Sequence, residues 1–148
     1  VLMQQGAPQE VYDNPENLFV AKFLGTPPIN VFDGRVEGSF LFLGDQKALA
    51  VPGAPDGKVL VGIRPEGFEP DKDGPVVCGL SRVEVLGRDT SMVCTHPACQ
   101  KDSLRAIIRS AGEVSAVAGS VRFALRPEKV FLFDCQSERR IPFGKAAM

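Results

Sequence analysis

The sequence predicts an all-β protein: a small closed or nearly closed barrel built from a duplicated strand unit, preceded by a short N-terminal helical segment. The first observation is an internal repeat. Residues 57–68, GKVLVGIRPEGF, return 62 positions later as residues 119–130, GSVRFALRPEKV. Gly57, Val59, Arg64, Pro65 and Glu66 recur as Gly119, Val121, Arg126, Pro127 and Glu128, and Val61, Ile63 and Phe68 become Phe123, Leu125 and Val130. The second observation is the period of two in both copies, which marks half-buried strands and places Val59, Val61, Ile63, Val121, Phe123 and Leu125 in the core. Each run stops at Arg-Pro-Glu, because proline lacks an amide donor and holds the preceding residue extended. The third is the abundance of turn formers, 15 Gly and 12 Pro in 148 residues. Short strands joined by such turns favour a closed barrel, which hides its edges. Strand spacing alone fits an OB barrel and a sandwich equally.

Residues 8–25 carry the helical signal. Pro8–Asp13 forms at most one turn, and Asn14-Pro15-Glu16 then supplies a capping Asn, Pro at the first helical position and an acid near the dipole's positive end. Phe19 and Phe23, with Val20 and Leu24, give one apolar face. Gly25 and Pro27-Pro28 end the helix. It has no core of its own, so it is expected to dock on the β body, on a second copy or on another domain. Strands are expected at 30–37, 39–44, 47–51, 58–64, 76–87, 89–96, 103–109, 120–126, 130–134 and 139–143. Gly62 and Gly87 fall where a barrel strand bends or lets a neighbour approach.

The chemistry-bearing inventory is thin. The chain has no GxxxxGK[ST] phosphate loop, no GxSxG elbow and no HExxH pair, and His96 is its single histidine. Cys78, Cys94, Cys99 and Cys135 form no CxxC pair. Cys94, His96 and Cys99 are close in sequence, but a zinc site would need a fourth ligand and tetrahedral convergence. The expectation is therefore no catalytic residues, no metal and no cofactor in this chain. Nucleic-acid binding, common among OB barrels, needs a basic groove with exposed aromatics. Here Trp is absent, Tyr occurs once and the net charge is −1. Phe40/Phe42 and Phe131/Phe133 pair at i,i+2, the position of core residues. Residues 1–99 are acidic on balance and 100–148 basic, the pattern of a solvated surface, of self-association or of an acidic partner. No secretory leader is legible at Val1–Gly6, no apolar run approaches the ~20 residues of a bilayer span, and the opening without Met reads as part of something longer.

The stretch Gln5-Gly-Ala-Pro-Gln-Glu-Val-Tyr-Asp-Asn-Pro-Glu-Asn-Leu-Phe-Val-Ala-Lys-Phe-Leu-Gly-Thr-Pro-Pro-Ile-Asn30 resembles the junction after the nucleotide-binding domain in ATP-binding subunits of ABC importers, the maltose-type sugar importers best. Gly62-Ile-Arg-Pro-Glu66, Val83-Glu-Val-Leu-Gly87 and Val130-Phe-Leu-Phe-Asp134 resemble landmarks of that family's C-terminal regulatory region, the transport-associated OB (TOBE) domain. The likeness runs from about residue 1 to 143. Phe68 after Gly67 and the Cys94–Cys99 segment depart from it. The resemblance implies residues 1–28 as the tail of an ATPase domain with its linker, and 29–148 as an OB-like regulatory domain. It implies that ATP and Mg belong to the parent protein. The implied partners are a second copy of the ATPase subunit, transmembrane permease subunits, and a regulatory protein or small ligand, without nucleic acid, at the cytoplasmic face of the membrane. Arg64 and Glu66 read either as a surface ion pair at a strand end or as a regulatory or interface contact, and Glu84 and Gly87 align with a family stretch near regulatory surfaces. The alternatives are an OB-fold nucleic-acid-binding module and an importer subunit for polyamine, iron or another small solute.

Overall fold

A computed structural model describes residues 15, 17–23, 29–109, 116–117 and 119–144. Among the described residues, one α-helix, α1 (Leu18–Phe23), precedes twelve strands: β1 (Asn30–Glu37), β2 (Phe40–Leu43), β3 (Gln46–Ala50), β4 (Gly57–Ile63), β5 (Phe68–Pro70), β6 (Val76–Leu86), β7 (Asp89–Thr95), β8 (Leu104–Arg109), β9 (Ala116–Val117), β10 (Ser120–Leu125), β11 (Val130–Asp134) and β12 (Arg140–Ile141). All pairings are antiparallel. One sheet runs β12-β11-β4-β1-β2-β3 and the other β5-β10-β6-β7-β8, with β9 beside β10. The main apolar core, from Phe32 and Leu41 through Val61 and Ile63 to Met92, Phe123 and Leu132, draws on both sheets. The six core positions expected from the repeat are all buried. The body is an OB-like, nearly closed β-barrel.

The repeat explains how the two sheets are joined. Each copy is a strand, a single 3-10 turn at Pro65–Gly67 or Pro127–Lys129, and a second strand. The copies exchange their second strands. Val130 pairs with Ile63, Phe131 with Gly62 and Leu132 with Val61; at the equivalent positions Phe68 pairs with Leu125, Glu69 with Ala124 and Pro70 with Phe123. The turns repeat the relation: the Arg64 amide donates to the Lys129 carbonyl at 3.1 Å, and the Arg126 amide to the Gly67 carbonyl at 2.9 Å. The two units are thus related by an approximate two-fold axis, and each is completed by the other.

Two further stitches close the barrel. The loop after β7 lies along β1, with the Asp33 amide donating to Ala98 and the Gln100 amide to Val31. The Asn30 amide group donates to the Ile63 and Arg105 carbonyls, at 3.2 and 2.9 Å, while its oxygen accepts from the Arg105 amide at 2.9 Å. Gly62 allows the close packing at this seam: a methyl group there would sit 2.7 Å from Ile29 Cδ1. The approach is by a side chain, where the sequence left open a bend or a neighbouring backbone.

Three expectations change. The helix begins at Leu18, so Pro15 is not its first residue; Asn17, whose carbonyl accepts from the Ala21 amide at 3.1 Å, stands at its start. Asn17 is held extended by a bridge to Arg139, which delays the helical turn. The turn expected at 8–13, Asn14 and residues 24–28 lie outside the described residues, as do the side chains of Phe19, Val20 and Phe23. The pairing of Phe40 and Phe42 on one face is correct, but that face is the outer one, because Leu41 and Leu43 fill the core. Phe131 and Phe133 are buried as expected, Phe131 facing a satellite cluster under α1. The third change is the appearance of β5 and β9.

Candidate functional site

Arg64 is 0 % exposed. It leaves β4 as the turn begins, and its guanidinium donates to the Ala21 carbonyl at 3.0 Å, near the helix's carbonyl end, while lying over the Phe131 ring at 5.8 Å. Arg140 lies over the same ring at 4.6 Å and donates to the Pro15 carbonyl at 3.1 Å. With the Leu18 amide donating to Glu138, these contacts fasten α1 to the barrel. The helix buries Leu18 and Ala21 against Ile29, Val31, Phe131 and Phe133. Cations near a helix C-terminus meet carbonyls that have no intrahelical partner. Arg64 therefore holds α1 and is inaccessible in this conformation. Glu66, on the adjoining turn, pairs with Lys129 of the other copy at 3.5 Å, across the two-fold axis.

Glu84 and Gly87 sit together elsewhere, on the β6–β7 hairpin. Gly87 has φ +64° in the turn, where a side chain would be strained, and a Cβ there would meet nothing within 4 Å. Glu84 accepts from Arg82 at 2.7 Å and lies 4.0 Å from Arg105. The hydrogen bond from Arg82 is the main reason its carboxyl titrates below the usual range.

The opposite face of this hairpin carries a feature that the sequence reading missed. Val83 and Val85 are 48 % and 76 % exposed, the exposed large hydrophobics among the described residues. Val83 stands opposite Met92 and Val85 opposite Thr90; Met92, with Ala106 and Ile108 on the next strand, is buried in the core. β10 pairs with β6 only over Val76–Gly79, and a register shift follows between Leu80 and Arg82. Among the described residues no strand covers the outer edge of residues 81–86. An open edge bearing two valines is a template for pairing with another chain. Its sequence signal was the unbroken alternation of Val83 and Val85 along a strand longer than its neighbours.

The other candidates resolve as structure. His96 is buried and uses both ring nitrogens: the Ala98 amide donates to Nδ1 at 3.0 Å, so the proton sits on Nε2, 3.0 Å from the Gln46 side-chain oxygen. Gln46 also bonds the Val77 backbone, tying β3 to β6. Burial pushes the Cys78 thiol up to about 12 and Cys94 to about 11, the opposite of a reactive thiolate. Among the described residues no group of three or more His, Cys, Asp or Glu side chains is placed to hold a metal ion. Phe40 and Phe42 already carry cations, Lys47 at 3.7 Å and Arg35 at 4.6 Å from the ring centroids, so neither is a bare platform for base stacking. No helix among the described residues is long and apolar enough to cross a membrane.

Comparison with known proteins places this fold. A family model described as the MalK OB fold domain matches residues 25–68. The chain is 34% identical over 139 residues to the sn-glycerol-3-phosphate import ATP-binding protein UgpC of Ruegeria sp. (strain TM1040), covering 93% of this chain and 39% of the relative. It is 34% identical to the UgpC protein of Chromobacterium violaceum, covering 97% of this chain and 40% of the relative. The sulfoquinovosyl glycerol transport ATP-binding protein SmoE of Agrobacterium fabrum is 34% identical, with 93% and 40% covered. The chain thus spans about two fifths of the length of the curated relatives it matches. Residues 25–68 thus match the MalK OB fold domain, and nearly the whole chain is similar to part of import and transport ATP-binding proteins.

Proposed function

We propose that this chain is the C-terminal regulatory and dimerisation domain of the ATP-binding subunit of an ABC importer for sugars or sugar-like polyols. The observation that carries this is that relatives named as import or transport ATP-binding proteins match over 93–97% of the chain. The solutes in their names, glycerol 3-phosphate and sulfoquinovosyl glycerol, are both polyhydroxylated and support a sugar-type solute over polyamine or iron. On this reading ATP, Mg and hydrolysis belong to the rest of the parent subunit, and residues 1–28 form the tail of that ATPase domain and its linker. The permease subunits hold the assembly at the cytoplasmic face of the membrane.

In this role α1 is the mechanical joint, clamped by Arg64 and Arg140, and the β6–β7 hairpin with Glu84 and Gly87 is the face offered to a twin domain or a regulatory protein. Glu66, through its pair with Lys129, ties the turns of the two repeat units together. Calorimetric titration of the chain with Mg-ATP is expected to give no heat of binding, because the sequence holds no glycine loop to cradle phosphates. Micromolar affinity for Mg-ATP would overturn the assignment of nucleotide chemistry to the missing part.

A further inference from the structure

The even-numbered face of β6 differs from the valine face behind it. Arg82, Val93 and Arg105 lie directly opposite one another on β6, β7 and β8, and so project to one side of the sheet. Together with Lys101 and Ser103 from the β7–β8 loop and with Leu104, they line a cavity of about 190 Å³ at the seam with the start of β1. Three cations from two strands and one loop thus border one small space. Among the described residues, Glu84 is the carboxylate ion-paired with them, 2.7 Å from Arg82 and 4.0 Å from Arg105. Arg105 is further steadied by donating to the buried Ser91 hydroxyl at 2.9 Å, and its backbone is clamped by Asn30. The site therefore keeps an excess of positive charge, with its inner guanidinium fixed in advance.

We infer that this cavity is a binding site for a small tetrahedral oxyanion, such as the phosphate group of a short phosphomonoester. A planar carboxylate is satisfied by one guanidinium fork, whereas cations arriving from three directions match an anion with oxygens on all sides. Val93 and Leu104 supply an apolar wall for a short aliphatic body. The volume of about 190 Å³ suits a small ligand. The site lies on the side of β6 away from Val83 and Val85, and the inference does not rest on the proposed role of that edge.

The test is an amide-resolved titration of the chain with inorganic phosphate, then with propyl phosphate, acetate and neutral glycerol as separate arms. Phosphate is expected to shift amides at 82, 93, 101 and 105 with a dissociation constant of about 1 mM or below. Propyl phosphate should bind at least as well, acetate more weakly, and glycerol not at all. Lys101→Gln with Arg82→Gln should weaken phosphate by about tenfold or more, since two of three charge-assisted contacts are lost. Both side chains are exposed, so the double variant is expected to keep its fold, which the unchanged amides of the first sheet would verify. Arg35→Gln, on the opposite sheet, controls for general charge. The inference is overturned if phosphate shifts none of these amides, if acetate binds as tightly as phosphate, or if the Arg35 variant weakens binding as much as the double variant.

Discussion

At the residue scale, the side chains with most chemical potential are spent on structure. Arg64 follows a strand in a sequence that predicts a surface position, since arginine is seldom buried unless paired. Its burial answers a tertiary contact, the Ala21 carbonyl of α1, which no local pattern displays. His96 is similar: only the fold brings Gln46 to it. Because burial lowers its pKa below the usual 6.5, the unfolded chain holds more protons between the folded value and about 6.5. Stability is then fully present above about pH 6.5 and declines as pH falls through that window. Urea unfolding between about pH 5 and 7 should show this slope, and His96→Gln should flatten it. An unchanged slope in the variant would show that His96 is not held neutral.

At the element scale, the strands were legible because alternation reads directly as one buried and one open face. β5 escaped notice because it is three residues long and contains Pro70, and β9 because two residues carry no period. Parity also cannot say which face of a short strand is inner, hence the inversion at Phe40 and Phe42. The helix was legible in existence, while its start and docking face depend on Glu138, Arg139 and Arg140 from the far end of the chain. Leu18→Ala should cost about 2–5 kcal/mol of docking stability as a buried truncation. Hydrogen exchange should then accelerate across residues 18–23 and leave β6–β8 unchanged. Slow exchange in the variant would mean that the arginine clamps alone hold the helix.

At the scale of the whole molecule, the repeat was visible as similarity, but its consequence, the exchange of strands between copies, was not. Sequence spacing gives the units and says nothing of which partner each completes. The exchange makes the two sheets one cooperative body, with Ile63 and Leu125 at equivalent positions beside the axis. Leu125→Ala should destabilise by about 2–5 kcal/mol. It should lower exchange protection in β4 and β11 as well as in β10 and β6. Loss confined to the second sheet would show two independent halves.

The edge of β6 that no described strand covers is the other whole-molecule feature, and the proposed pairing role depends on it. Sedimentation velocity over about a hundredfold concentration range, compared between the native chain and Val85→Glu, tests that role most directly, since dimers follow mass action. The native chain is expected to shift from monomer toward dimer as concentration rises, and the charged variant to stay monomeric with the same thermal stability. A native chain that remains strictly monomeric, or a dimer indifferent to Val85→Glu, would contradict the account.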